Sequence, residues 1–366
     1  MGRVDVRPAS ARAVVSFASN DYLGLRDHAA VRQAAIHAIE RYGVGAAAGR
    51  SAAEHTDLHE ELERRLAALK GVEAALTFQS GFVANLGTIP MLAGERDLVL
   101  YDELSHGSTV DGVRLSGAAA VPYVHRDSDD VERRLRAARE GSARYAGILI
   151  ATDAVFSFEG DIAPLPALCA LAERYDARLL VDDAHATGVL GRGGRGSVDH
   201  FGLHGRVTAQ VGTLSKAVGV LGGFVATDAR LRGHLEQSRP ILYSTLLPPA
   251  LVAAAAAALD VMVAEPERLE RLRVNAGRFR SGLQRLGFDT GTSETPIVPV
   301  LLPDTERAVL FSERLRENGI GMRVIPGVAA RRARLRAIVT AMHSSAEIDE
   351  CLDVMGRVGR DLGQLR

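Results

Sequence analysis

Lys216 stands among small residues in Gly212-Thr213-Leu214-Ser215-Lys216-Ala217, just after the strand-like run Val207 to Val211. A primary amine presented at the end of a strand can form a Schiff base with an aldehyde. Most lysines are solvated surface groups, so the surrounding residues decide what this one means. Upstream lies Val181-Asp182-Asp183-Ala184-His185. Pyridoxal phosphate needs a lysine at its aldehyde, a carboxylate at its pyridine nitrogen, a group stacked on its ring and donors for its phosphate. The chain offers a candidate for each.

Asp182 follows the strand-like Arg178 to Val181, at the carboxyl end where α/β sheets place ligand-binding groups. A carboxylate there favours the pyridinium, the electron sink for a carbanion at a substrate α-carbon. The competing reading is that Asp182 or Asp183 caps a following turn. Lys216, once released as a free amine, can also take the α-proton. Thr213 and Ser215 flank it within reach of a phosphate. Gln79-Ser80-Gly81-Phe82 joins a strand ending at Phe78 to the helix-compatible Val83 to Leu92, which sets backbone N–H groups at a helix start as a phosphate cradle. His106 and His185 are the notable histidines, each either a ligand contact or a satisfied core residue. His185 with Asp182 imitates half a metal site, but no third ligand stands at a familiar spacing, so no metal is expected. The glycine run Gly43 to Gly49 follows a helical pattern rather than a strand, which excludes a dinucleotide fingerprint and leaves a tight turn passing near a ligand.

Composition narrows the class. The 366 residues carry a net charge of -1 and no tryptophan, and no basic stripe with interleaved aromatics appears, so nucleic acid is not the partner. The Arg331 to Arg336 cluster reads first as a solvated or strand-edge face. Cys169 and Cys351 are isolated, which suits a reducing compartment. The longest apolar run, Leu251 to Leu259, falls far short of the ~20 residues that span a bilayer. The N-terminus lacks a signal pattern. The expectation is a soluble cytoplasmic protein with no membrane span.

The elements that must position these groups alternate. Leu58, Leu62, Leu66 and Leu69 recur at helical spacing between a capping Thr56 and a terminating Gly71. Seven short strands follow, at 74–78, 97–101, 119–124, 147–152, 178–181, 207–211 and 222–226. Several are apolar throughout, as strands buried on both faces of a mostly parallel sheet are. After Pro248-Pro249 come an alanine-rich helix, a second helix through Leu269, Leu272, Phe279 and Leu283, and two or three strands with a final helix. The predicted fold is α/β. An N-terminal segment 1–43 leads to a large cofactor domain 44–250 with a seven-stranded sheet, and a smaller α+β domain occupies 251–366.

With these residues in place, the chain resembles the α-oxoamine synthases, fold-type I pyridoxal phosphate enzymes. The resemblance runs from Phe17 to about Ile348 through Phe17 to Leu25, His59 to Leu66, Ser80 to Asn85, Ser105 to Ser108, Thr152 to Leu165, Asp182 to Gly188, Gly212 to Lys216, Tyr243 to Pro249, and Arg334 to Arg336 with Thr340 to His343. It implies a decarboxylative condensation of an amino acid with an acyl thioester, on coenzyme A or an acyl carrier protein. It also implies that Lys216 forms the Schiff base, Asp182 holds the pyridinium, His106 stacks on the ring and His185 bonds the ring hydroxyl. Gly81, Phe82 and Thr213 would hold the phosphate, with Thr245 reaching in from a second subunit of a homodimer with shared active sites. Ser157, Asn20 and Arg336 would meet the substrate carboxylate. Two departures bear on the acyl entry: only a short segment precedes Phe17, and Pro326-Gly327-Val328-Ala329 places Gly327 where the family often has a thioester-contacting threonine. Rival readings are an aminotransferase or lyase on the same fold, and a non-catalytic homologue that only binds the cofactor.

Overall fold

Runs of buried aliphatic residues build the larger unit. The computed structural model describes residues 14–50, 55–141, 145–327 and 332–365, in two compact units. One comprises Leu25–Phe156 and Ala163–Glu265. The other joins the N-terminal stretch to Gly24, Ser157–Ile162 and the chain from Pro266 onward.

In the larger unit seven strands form one sheet: β1 (Ala74–Phe78), β2 (Leu98–Asp102), β3 (Ala119–Tyr123), β4 (Ile148–Asp153), β5 (Arg178–Asp182), β6 (Ala209–Thr213) and β7 (Gly223–Thr227). Their order is β1-β7-β6-β5-β4-β2-β3. All pairings are parallel except those of β7, which runs antiparallel to both neighbours. The mostly parallel seven-stranded sheet expected from the sequence is therefore present. The central strands β4 and β5 are almost wholly buried, whereas β3 lies at an edge and alternates in exposure, where its Pro122 removes no donor that a further strand would need. Gly212 pairs with Phe224 across β6 and β7, and a Cβ there would meet that ring at 2.2 Å.

The helix Pro249–Ala264 belongs to this unit, so the division falls at Pro266 rather than at residue 251. The helix packs against Ala29–Tyr42 and Asp57–Lys70, and its alanines let the axes approach closely. The helical pattern expected before Gly43 is present as Ala29–Tyr42, with Gly43 as its C-cap at φ 83°.

The smaller unit holds a three-stranded antiparallel sheet of β8 (Ile297–Leu302), β9 (Arg323–Ile325) and β10 (Ala333–Ile338), with β10 in the centre. Val15–Ser16 pairs in parallel with Ile320–Gly321. Phe17, Phe279, Phe311 and Leu335 share its core. Arg334 and Arg336 lie on the central strand and are buried, so the basic cluster is not a solvated face there; Arg331 lies outside the described residues.

Candidate active site

Four strands of the larger sheet end on polar residues at their carboxyl edge: β2 on Asp102, β4 on Asp153, β5 on Asp182 and β6 on Thr213. Asp153 and Asp182 are register partners. Beside them lies a cavity of about 200 Å³ lined by Ser80, Gly81, Phe82, His106, Asp153, Asp182, His185, Thr213, Ser215 and Lys216, among others. Seven of the predicted site residues thus converge in one place.

Each wall has a local cause. Ser80 is the N-cap of the helix Gly81–Leu92, its Oγ accepting from Val83 N at 3.2 Å. That leaves the first N–H groups of the helix, at Gly81 and Phe82, pointing out of its open end. The turn reaches the sheet because Gly223 has no side chain: a Cβ there would lie 2.2 Å from the Ser80 carbonyl carbon. Thr213 Oγ1 donates to Gly222 O at 2.9 Å and lies 2.8 Å from Ser215 Oγ, which sets both hydroxyls beside Lys216.

Asp182 is buried, and each of its two oxygens accepts a hydrogen bond. Oδ1 accepts from Ala184 N at 3.0 Å and Oδ2 from Asn85 Nδ2 at 2.7 Å. His106 caps the helix Gly107–Ser116, its Nδ1 accepting from Ser108 N at 3.2 Å, so the ring's proton sits on Nε2. Its backbone N–H donates to Asp153 Oδ1 at 3.1 Å. Burial holds the His106 imidazole below its ordinary value, against the opposing pull of Asp182. Burial, with the Asp182 charge second, pushes the Asp153 carboxyl well above its own. At this edge burial favours the protonated form of the Asp153 carboxyl, while the Asp182 carboxyl accepts from two donors.

The remaining predicted residues lie elsewhere. Thr245 is exposed on the larger unit, next to Tyr243 at 80% exposure. Ser157, Asn20 and Arg336 belong to the smaller unit. There Arg336 donates to Asn20 Oδ1 at 3.3 Å, while its buried Nε has no partner. Burial lowers the affinity of that guanidinium for its proton, and an incoming carboxylate would supply the missing acceptor. Gly327 N donates to Thr305 Oγ1 at 3.1 Å; Val328 and Ala329 lie outside the described residues. Asn85, Ser108 and Asp153 were not assigned roles from sequence, because each acts through contacts with residues far away along the chain.

The cavity fits pyridoxal phosphate on its donor set: open helix N–H groups, the Thr213 and Ser215 hydroxyls, a buried carboxylate and an amine all line it. The fold and this site define a fold-type I pyridoxal phosphate enzyme. The model of the aminotransferase class I and II family matches residues 12–355, and the chain belongs to that family. It is 50% identical over 355 residues to an 8-amino-7-oxononanoate synthase of Symbiobacterium thermophilum, covering 96% of this chain and 90% of the relative. It is 47% identical to 8-amino-7-oxononanoate synthase 1 of Bacillus subtilis, covering 95% and 89%. A Sphingomonas wittichii serine palmitoyltransferase structure superposes with a TM-score of 0.92 at 31% identity, covering 97% and 89%. An 8-amino-7-oxononanoate synthase structure from Francisella tularensis superposes at 0.81 with 26% identity, covering 95% and 98%. The protein is a pyridoxal phosphate-dependent acyltransferase of the α-oxoamine synthase family.

Proposed function

We propose that this chain joins L-alanine to the thioester of heptanedioic acid, carried on coenzyme A or an acyl carrier protein, to give 8-amino-7-oxononanoate, CO2 and the free thiol. Sequence segments lean two ways within the family. Tyr243-Ser244-Thr245 with Leu247-Pro248-Pro249 favours an 8-amino-7-oxononanoate synthase, while Gly212-Thr213-Leu214 with Gly222-Gly223-Phe224 favours a glycine C-acetyltransferase. The identity to curated relatives of the first kind over nearly the whole chain carries the choice.

The name of that product assigns the substrates atom by atom. An amine on the carbon next to a ketone, with one methyl beyond it, is alanine without its carboxylate. The other seven carbons, from ketone to terminal carboxylate, are the acyl group. A new bond joins the alanine α-carbon to the thioester carbonyl, the C–S bond breaks with the pair going to sulfur, and the alanine carboxylate leaves as CO2.

Bound pyridoxal phosphate supplies the sink for the electron pair left on the α-carbon. The chain does the rest. Lys216 Nζ would hold the cofactor through its aldehyde carbon and, as a free amine, would take the alanine α-proton and return one. Asp182 would hold the protonated ring nitrogen and His185 the ring hydroxyl. His106, its Nδ1 accepting from Ser108 N, would cover the ring. Gly81 and Phe82 N–H groups with the Thr213 hydroxyl hold the phosphate, joined by Thr245 from the second copy in a homodimer; its exposure beside Tyr243 supports that role. Asn20 and Arg336 receive the alanine carboxylate, with Ser157. Alanine labelled in its methyl carbon tests the assignment: the label must appear at the terminal methyl of the product, and an unlabelled product contradicts it.

A further inference from the structure

Of the 44 lysines and arginines in the chain only two, Lys70 and Lys216, are lysines. A protein that otherwise uses arginine for every fixed cation keeps an ammonium at two places. One is the amine of the cofactor site. The other is the last residue of the helix Asp57–Lys70, a helix with no residue in the cavity wall.

Lys70 is buried, and its side chain forms an ion pair with Asp183, both at 0% exposure. Nζ also donates to Thr187 Oγ1 at 3.2 Å and to Arg195 O at 2.9 Å, which uses all three of its protons. Asp183 in turn accepts from the Ser197 hydroxyl and from Ser197 N at 3.0 Å, and from Thr187 Oγ1 at 3.2 Å. The space is closed: a Cβ on Gly196, at φ 102°, would lie 1.9 Å from Asp183 Oδ2 and 2.4 Å from Nζ. A planar guanidinium does not fit where a compact three-donor ammonium does.

Asp183 starts the turn that carries the cofactor contacts. Asp182 precedes it, and Ala186 N and Thr187 N donate back to its carbonyl at 3.0 and 2.8 Å, so His185 rides on that turn. Asp182 and His185 line the cavity while Asp183 does not.

We propose that Lys70 is a positioning residue for the cofactor: its ion pair with Asp183 pins the turn that presents Asp182 and His185, and cancels a carboxylate charge next to the one meant for the ring nitrogen. This rests on the reading that places Asp182 and His185 on the cofactor ring. The null alternative is a buried fastening with no bearing on the site, since replacing a buried ion pair is often neutral for stability.

The test uses the full-length protein as native, Lys70→Met and Lys70→Met/Asp183→Asn, with the last keeping an acceptor for Ser197. For each, pyridoxal phosphate is titrated by absorbance, the pH midpoint of the bound-cofactor band is recorded, and the thermal midpoint is measured. In Lys70→Met the uncompensated Asp183 favours the protonated cofactor, so the pH midpoint rises by about one unit and affinity falls about 10-fold. In the double variant charge balance returns the midpoint to the native value. Affinity stays about 3- to 10-fold weak, because the turn has lost the donor shared by Thr187 and Arg195. Should Lys70→Met fail to fold, the double variant's affinity decides. Native affinity and native pH midpoint with only a lowered thermal midpoint would overturn the proposal. Native protein that takes up no cofactor would overturn the underlying site reading instead.

Discussion

Asn85 Nδ2 donates to Asp182 Oδ2 at 2.7 Å and to Ser108 Oγ at 2.9 Å, and Ser108 Oγ lies 2.7 Å from His106 Nδ1. One fully buried carboxamide thus ties the carboxylate assigned to the ring nitrogen to the imidazole assigned to the ring face. Asn85→Ala strips a donor from Asp182 and from the Ser108 hydroxyl that meets His106. A hydrogen bond to a charged group contributes about 1.5–3 kcal/mol, so cofactor affinity is expected to fall about 10- to 100-fold in an absorbance titration. Unchanged affinity would show that Asp182 needs no such support.

Asp153 gives a pH-dependent prediction. Its carboxyl is held well above the ordinary 3.8, so between that value and the folded-state pKa the unfolded chain has released a proton that the folded chain retains. The contribution to stability is fully present below 3.8 and is lost as pH rises toward the folded value. Asp153→Asn has no proton to release and still accepts from His106 N. Its cofactor-free form should melt above the native protein at about pH 7, and the gain should vanish by about pH 4. A gain that grows on acidification would reverse the sign and refute the assignment.

Gly223 lets β7 touch the phosphate turn. Gly223→Ala forces its Cβ to within 2.2 Å of the Ser80 carbonyl carbon, and backbone on both sides leaves no flexible side chain to yield. Overpacking of this kind costs about 1–3 kcal/mol. The thermal midpoint should drop, and the cofactor should become removable by dialysis against phosphate.

Arg336 separates substrate binding from cofactor binding. Arg336→Gln keeps a polar side chain but loses the charged fork. The KM for the amino acid should rise about 10- to 100-fold while affinity for pyridoxal phosphate stays native. A loss of cofactor with an unaltered KM would move Arg336 out of its assigned place.

The sheet was legible because burial on both faces writes itself as uninterrupted aliphatic runs, as in Ile148 to Ala151 and Leu179 to Val181, and all seven strands lie within two residues of their expected places. The convergence of Lys216, Asp182, Gly81 and His106 on one cavity was legible because turn chemistry beside a strand end is local. The edge of the larger unit was not, since Leu251 to Leu259 is apolar whichever sheet it serves. Lys70 escaped notice because a lysine ending an amphipathic helix has the pattern of a solvated C-cap, and only the fold shows Asp183 and Gly196 closed around it. Asn85 and Asp153 escaped for the same reason: their partners, Asp182 and His106, come from distant segments. The solvated-face reading of the basic cluster fails at Arg334 and Arg336 because arginines in a basic run have the composition of a surface, while β10 places these two inside.

One amine and one carboxylate in this cavity would drive a condensation that consumes a thioester. The most direct measurement follows L-alanine with a heptanedioyl thioester, on coenzyme A and on a carrier protein, by thiol release and by mass spectrometry of the product, for the native protein and for Lys216→Ala. The account predicts free thiol and 8-amino-7-oxononanoate in equal amounts with the native protein and neither with the variant. Amine transfer from alanine to an added keto acid with no thiol released, or undiminished product from Lys216→Ala, would contradict it.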